Sequence, residues 1–380
     1  EAGVAPSRLL LVDPRPSLLH AWKRRAAGTG MRYLRSSASF HLAPDVDALR
    51  RSGRPDQGKQ GKKGKRRRKG GRAPAVEREF TGDYERPRLD VFNAHCDAVV
   101  AAYGLDQSHR RGTVMKIELA DDRVRVEVRG APGEGDAVYA ADRVVLAVGH
   151  DGPSCCAWAD KKDVEAGLVR HLLDDAAEAP DPGDADAVAI VGGGITAAHK
   201  ALELVRRRKG TARGVPSVHL VSRHPVRERQ FDTHQDWMMD RAAARRSEEG
   251  GGYGLPKRQR QFSQISCWKE RRRIIDRERL PGTVTPEVNR GRDGLRYAVE
   301  RGEVAWHQAE VTEMQRADDG RRARLSLSSG ETLEVEKVLL ATGFPKGLPG
   351  GTIVRKDLVE EAGLPVSDFC GFPIVDEHLR

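Results

Sequence analysis

Residues 188–204, VAIVGGGITAAHKALEL, set an unbroken apolar run directly before three glycines and a helix-forming segment. An apolar strand without alternation is one covered on both faces, as in a parallel sheet. Gly192, Gly194 and Ala197 fall in a G-x-G-x-x-A spacing, with Gly193 between the first two. Small residues there allow a tight turn, close approach of backbone to a pyrophosphate, and close packing of helix on strand. The helix N-terminus then faces the anion. The chemistry this spacing points to is dinucleotide binding, and the next stretch of chain tests it.

A strand that ends at the group reading the ribose should come next. SVHLVSR, residues 217–223, is such a strand, and it closes on Ser222 and Arg223, with Arg227 and Arg229 beyond. A carboxylate at this place would repel a 2′-phosphate, whereas a hydroxyl and guanidinium groups can bond one. NADPH is therefore the expected nucleotide. The alternative makes these arginines solvated loop charges.

An internal repeat is the second strong feature. RVVLAVGH (143–150) and KVLLATGF (337–344) each close a series of short alternating strands. The first series is TVMKIEL, RVRVEV and AVYAA; the second is AEVTEMQ, RARLSLS and ETLEVE, with turn-forming pairs between. Two meanders thus lead into two matching apolar segments, ending in Gly149 and in Thr342 and Gly343. Glycine there is expected where a bulkier residue would hold the backbone off a ligand or a neighbouring strand. Two copies mean two similar domains and not a solenoid.

With these motifs the chain resembles the flavoproteins that carry two dinucleotide-binding domains, one for FAD and one for NAD(P)H. Within them it looks most like the lysine/ornithine N-monooxygenase-like oxidoreductases. The stretches that carry this are GMRYLRSSASFHL (30–42), YERPRLDVFNAHC (84–96) and VRERQFDTHQDW (226–237), together with the glycine turn. The resemblance implies an α/β fold with two Rossmann-like dinucleotide-binding domains, each holding a β-meander insertion. It implies FAD and NADPH as cofactors and a small amine as substrate, hydroxylated on nitrogen. Other readings are an NADPH-dependent flavin reductase without oxygen insertion, and a noncatalytic nucleotide-binding or nucleic-acid-associated protein.

By the same resemblance RLLLVDP (8–14) is the second strand of the FAD unit, with Asp13 bonding the adenosine ribose; the alternative makes Asp13 a turn residue before Pro14. The first strand and glycine loop of that unit would precede Glu1, and the family would continue beyond PIVDEHLR. Arg35, Ser37 and His41 would lie near the flavin ring; such residues are more often satisfied structural groups, and no residue is assigned as catalytic. The expected organisation is an FAD domain from 1–155, an NADP domain from 180–325 after the linker EAPDPGDAD, and an FAD return segment from 326–380. QISCWKERRRIIDRERL is expected as a helix.

Composition fits an enzyme of 380 residues, and no apolar run approaches the roughly twenty residues that cross a bilayer. The net charge of +10 belongs to one segment: residues 50–72 hold 12 Lys and Arg against Asp56 alone. Almost without apolar residues, this tract is expected as a disordered surface insertion, with nuclear localisation or polyanion contact as the alternatives and nucleic acid not the expected partner. Five cysteines show no C-x-x-C or metal spacing, the 12 histidines form no H-x-x-x-H pattern, and no G-x-S-x-G appears. Disulfide reduction, metal hydrolysis and serine catalysis lack support, so no metal is expected. The cytoplasm is the default compartment, the true N-terminus being out of view.

Overall fold

The computed structural model describes residues 4–52, 78–120, 122–174, 185–209, 217–238, 257–317 and 320–375. The basic tract from 53 onward, the linker up to 184 and residues 241–254 lie outside the described residues.

Five parallel strands form one sheet, in the order Ala305–Gln308, Ser217–Ser222, Ala187–Val191, Lys337–Leu340 and Val169–His171. Pairing runs Val188↔Val218 on one side of the 187–191 strand and Ala189↔Val338 on the other. Alternate residues of that strand enter different cores, which explains its lack of polar alternation. Val188 and Ile190 pack with Ala197, Ala201 and Leu204 of the helix Ile195–Arg208. Ala189 joins Val221, Leu340, Leu325 and Val335 on the opposite face. The last two belong to an antiparallel meander of Val311–Arg316, Ala323–Leu327 and Thr332–Val335, which caps that face.

A second sheet pairs Leu11–Asp13 parallel with the start of His109–Ala120, which continues antiparallel into Arg123–Gly130 and Ala137–Ala141. Its small core of Ile117, Val126 and Val128 is completed by Ile353 and Leu358 from the π-helical segment Ile353–Glu361. Buried Asp357 accepts the Ile117 amide through Oδ2 at 3.0 Å, so the chain returns to this sheet after Gly343. The helix expected around 264–280 runs over Trp268–Glu278.

Two expectations change. Residues 326–340 lie with the five-stranded sheet and its meander, not with the return segment that was to begin at 326; the return starts past Leu340. Residues 143–150 form no strand, and Val145 is 88% exposed. An apolar run alone does not make a strand: an extended segment needs a neighbour to receive its amides and carbonyls, and the described residues offer this one none.

Candidate functional site

The glycine turn stands at the C-terminal edge of the parallel sheet, where open α/β sheets bind ligands. Gly192 has φ +152°, and a Cβ on it would lie 2.5 Å from the Ala341 carbonyl oxygen. Its amide donates to Val221 O at 2.9 Å, and Ala341 N donates to Val191 O at 2.8 Å, so the turn is wedged between strand ends. Gly194 is the N-cap of the helix Ile195–Arg208 and offers no side-chain cap, which leaves first-turn amides for an anion. Ala197 is fully buried against the strand, as close helix packing requires.

A residue that sequence reasoning missed sits over this turn. The His224 ring lies so near Gly193 that a Cβ there would be 2.7 Å from Cε1, and it equally closes on Gly282. His224 Nδ1 is 2.9 Å from Pro225 O, and the Nε2 side faces the glycines. The available signal was position: His224 stands two residues past the end of a parallel strand, within the segment expected to read a ribose.

The four polar residues of that segment part company. Ser222 is buried, its hydroxyl donating to His224 O and accepting from Trp306 Nε1, each at 3.0 Å. It is turned inward, which corrects its expected place on a 2′-phosphate; a hydroxyl at the end of a strand serves an adjacent indole as readily as a ligand. Arg223 is exposed and reaches Glu310 at 3.6 Å, a pair that costs little to open. Arg227 is exposed, in a short parallel pairing with Thr283. The Arg229 guanidinium donates to the neighbouring Glu228 O at 3.1 Å, and its amide to Val284 O at 2.9 Å.

The ends of the internal repeat meet. His150, just after Gly149, stacks on Phe344, just after Gly343, with ring centroids 4.2 Å apart and planes 7° from parallel. Gly343 O accepts the Ser154 amide at 2.8 Å. Gly149 and Gly343 have φ +68° and +77°, yet a Cβ on either would meet nothing within 4 Å. Both need the left-handed backbone, and no neighbouring strand among the described residues closes on either. Thr342 closes a relay: the Leu173 amide donates to His171 Nδ1 at 3.1 Å, His171 Nε2–H then donates to Thr342 Oγ1 at 3.1 Å, and the threonine donates to Ser154 O. Asp13 accepts the Arg15 amide at 2.7 Å, the turn geometry weighed as its alternative role.

No family model and no curated protein sequence matches the chain. Solved structures do. An ornithine N-hydroxylase from Kutzneria sp. 744 is 22% identical, with 77% of this chain and 66% of that one covered, at a TM-score of 0.52. An ornithine hydroxylase from Pseudomonas aeruginosa gives 18%, 75%, 64% and 0.54 for the same four quantities. The cadaverine monooxygenase of desferrioxamine biosynthesis from Erwinia amylovora, solved with FAD, gives 15%, 76%, 63% and 0.50. This chain shares their fold. It spans slightly under two thirds of their length.

Arginines clamp residues 35–86 to residues 229–287. Arg86, 2% exposed, donates from Nε to Arg35 O at 2.9 Å and from one terminal nitrogen to Gln230 O and Oε1 at 2.9 and 2.7 Å; the other pairs with Glu287. Arg35 is consumed in the same seam: its guanidinium donates to Gln230 O, Arg229 O, Thr283 O and Thr283 Oγ1, the last at 2.7 Å. Buried Ser37 accepts from the Ser39 amide at 3.4 Å. His41 lies 3.1 Å from Val46 O through Nε2 and accepts the Ala43 amide at Nδ1. All three thus hold hydrogen bonds within the protein.

Among the described residues no group of three or more His, Cys, Asp or Glu side chains could hold a metal ion, and no helix is long and apolar enough to cross a membrane.

Burial depresses two imidazoles, His171 and His199, from 6.5 to about 4. In the unfolded chain both take a proton near pH 6.5, so what they contribute is complete above that pH and is lost as pH falls toward 4. At pH 5 each should remove on the order of 2 kcal/mol of stability. Urea unfolding at pH 7 and pH 5 measures this. His199→Leu should reduce the difference between the two curves by that amount, and an unchanged difference would refute the assignment.

Proposed function

We propose that the chain is an FAD-dependent, NADPH-linked oxidoreductase of the amine N-hydroxylating monooxygenase type. In this reading the five-stranded sheet and its meander form a Rossmann-like NADPH domain, and the sheet holding Asp13, with the segment that runs on to Gly149, is the FAD domain, completed by the segment after Gly343. The observation that carries the reading is the uncapped helix start at Gly194 beneath the wedged Gly192 turn, at the sheet edge where the two repeat ends meet through His150 and Phe344.

The residues fit the nicotinamide nucleotide better than the flavin. First-turn amides of the helix Ile195–Arg208 would take the pyrophosphate, with the dipole of the helix adding to the attraction. The Nε2 side of His224 stands beside that anion position. Arg223, parting from Glu310, would bond the 2′-phosphate, with Arg227 as a second cation. When bound, the pair of cofactors supplies hydride transfer and oxygen activation. For FAD, Asp13, Gly149, Thr342 and Gly343 are assigned by resemblance, and the described residues hold no second glycine turn like 192–197. Ornithine, lysine and cadaverine are the amines to try, because the fold relatives are named for two of them and resemblance suggests the third.

The full chain should come out of purification with FAD and should consume NADPH in step with hydroxylamine formation from one of these amines. NADPH oxidation that yields only hydrogen peroxide with every amine would favour the flavin-reductase reading. Absence of both flavin and NADPH oxidation would end the redox assignment. Arg223→Ala should raise KM for NADPH by about 10-fold or more, the worth of one charge-assisted contact, and leave KM for NADH unaltered. Equal changes for both would remove Arg223 from phosphate reading.

A further inference from the structure

Beside the helix that follows the glycine turn lies a cavity of about 350 Å³, near the low end of small-molecule sites at about 300–1,000 Å³. Both parts of the chain build it. Residues 30–34 form one wall, the helix face of Ile195, His199, Leu202 and Arg206 another, and the turn 285–293 a third. The helix residues recur at intervals of four, three and four, so they stack along one face.

Four guanidiniums, of Arg32, Arg86, Arg206 and Arg292, line it against two carboxylates, of Glu287 and Asp293, an excess of two positive charges. Three polar groups in this lining are under-used. His199 is 7% exposed, and its imidazole makes no hydrogen bond among the described residues. Arg206 has a single bond there, 3.5 Å long, to Gly30 O. Glu287 gives Oε1 to Arg86, and its Oε2 is buried with no partner. Burial together with the nearby Arg32 charge lowers the Arg206 pKa, and Arg206 in turn helps to hold His199 neutral. Buried polar groups of this kind are costly unless something pairs with them.

We infer that this cavity binds a small hydroxylated organic dianion, its charged groups against Arg206 and Arg32, its body against Ile195 and Leu202, and a hydroxyl donating to Glu287 Oε2. Neutral His199 donates or accepts at the centre. The charge excess selects the dianion, the orphaned carboxylate oxygen selects a donor on it, and the apolar wall selects a carbon skeleton over a bare inorganic ion. The site is separate from the nucleotide reading and does not depend on it.

Calorimetry on the full chain with saturating NADP+ tests this, using glycerol 3-phosphate, malate, inorganic phosphate and glycerol as probes. Glycerol 3-phosphate or malate should bind saturably and more tightly than inorganic phosphate, glycerol should not bind, and the preferred of the first two tells phosphoryl from carboxylate recognition. Arg206→Ala should weaken binding by about tenfold or more. No saturable binding at about 10 mM, equal binding of glycerol, or indifference to Arg206→Ala overturns the proposal. The unaltered chain supplies a readout that needs no variant to fold: by NMR titration the His199 pKa, about 4 when free, should rise when the dianion is bound, and an unmoved value overturns the proposal equally.

Discussion

Replacing Arg86 with methionine should destabilise the folded chain by about 3–5 kcal/mol, the largest single effect expected outside the parallel sheet. The guanidinium is 2% exposed and is the common donor to Arg35 O, to both oxygens of Gln230 and to Glu287, which belong to three separate stretches of chain. Tyr84 and Phe231 flank it at 5.4 and 5.6 Å. Methionine can fill much of the volume but donates nothing, so two carbonyls, an amide oxygen and a carboxylate lose their partner together. Glu287→Leu should also be costly, because it leaves a buried cation without a counter-charge. The double variant should be less destabilised than the sum of the two, since each single change strands the other group. Urea unfolding of the four proteins completes the cycle. A loss under about 1 kcal/mol for Arg86→Met, or strict additivity, would mean that Arg86 is not the clamp described.

Local pattern made some of this arrangement legible and left other parts hidden. The apolar run at 188–191, the glycines behind it and the alternation of both meanders are short-range signals, and each corresponds to a strand, turn or ladder at that place. The apolar run at 143–150 is the same kind of signal without a partner strand, and no strand forms. Ser222 shows the limit for site residues: its place at the strand end was readable, but Trp306, 84 positions away, decides where its hydroxyl points. His224 and the 350 Å³ cavity depend on contacts between distant stretches, for which one sequence carries no periodic signature. The boundary near 326 failed for a related reason. Two matching segments suggest two matching places in two sheets, whereas pairing of Leu339 with Ile190 and Arg170 fixes the second segment in the sheet of the glycine turn.

Gly192→Ala should cost about 3 kcal/mol or more, and Gly343→Ala only about 1–2 kcal/mol, although both glycines hold positive φ and both follow an apolar strand or its end. The difference lies in what a methyl group would meet. At Gly343 nothing stands within 4 Å, so alanine bears backbone strain alone. At Gly192 the new Cβ would sit 2.5 Å from Ala341 O and 3.0 Å from Ala341 C, backbone atoms held by the Ala341 N to Val191 O bond. Neither side can yield without breaking the register of two parallel strands, because Gly192 N is itself bonded to Val221 O. Any relief must therefore rotate the turn and move the first-turn amides, so NADPH affinity should fall with stability in Gly192→Ala while Gly343→Ala keeps it nearly intact. Denaturant unfolding paired with nucleotide fluorescence titration measures both quantities. Similar losses of stability at the two positions would show that the turn is not wedged, and a stable Gly192→Ala protein with normal NADPH affinity would place the phosphate site elsewhere.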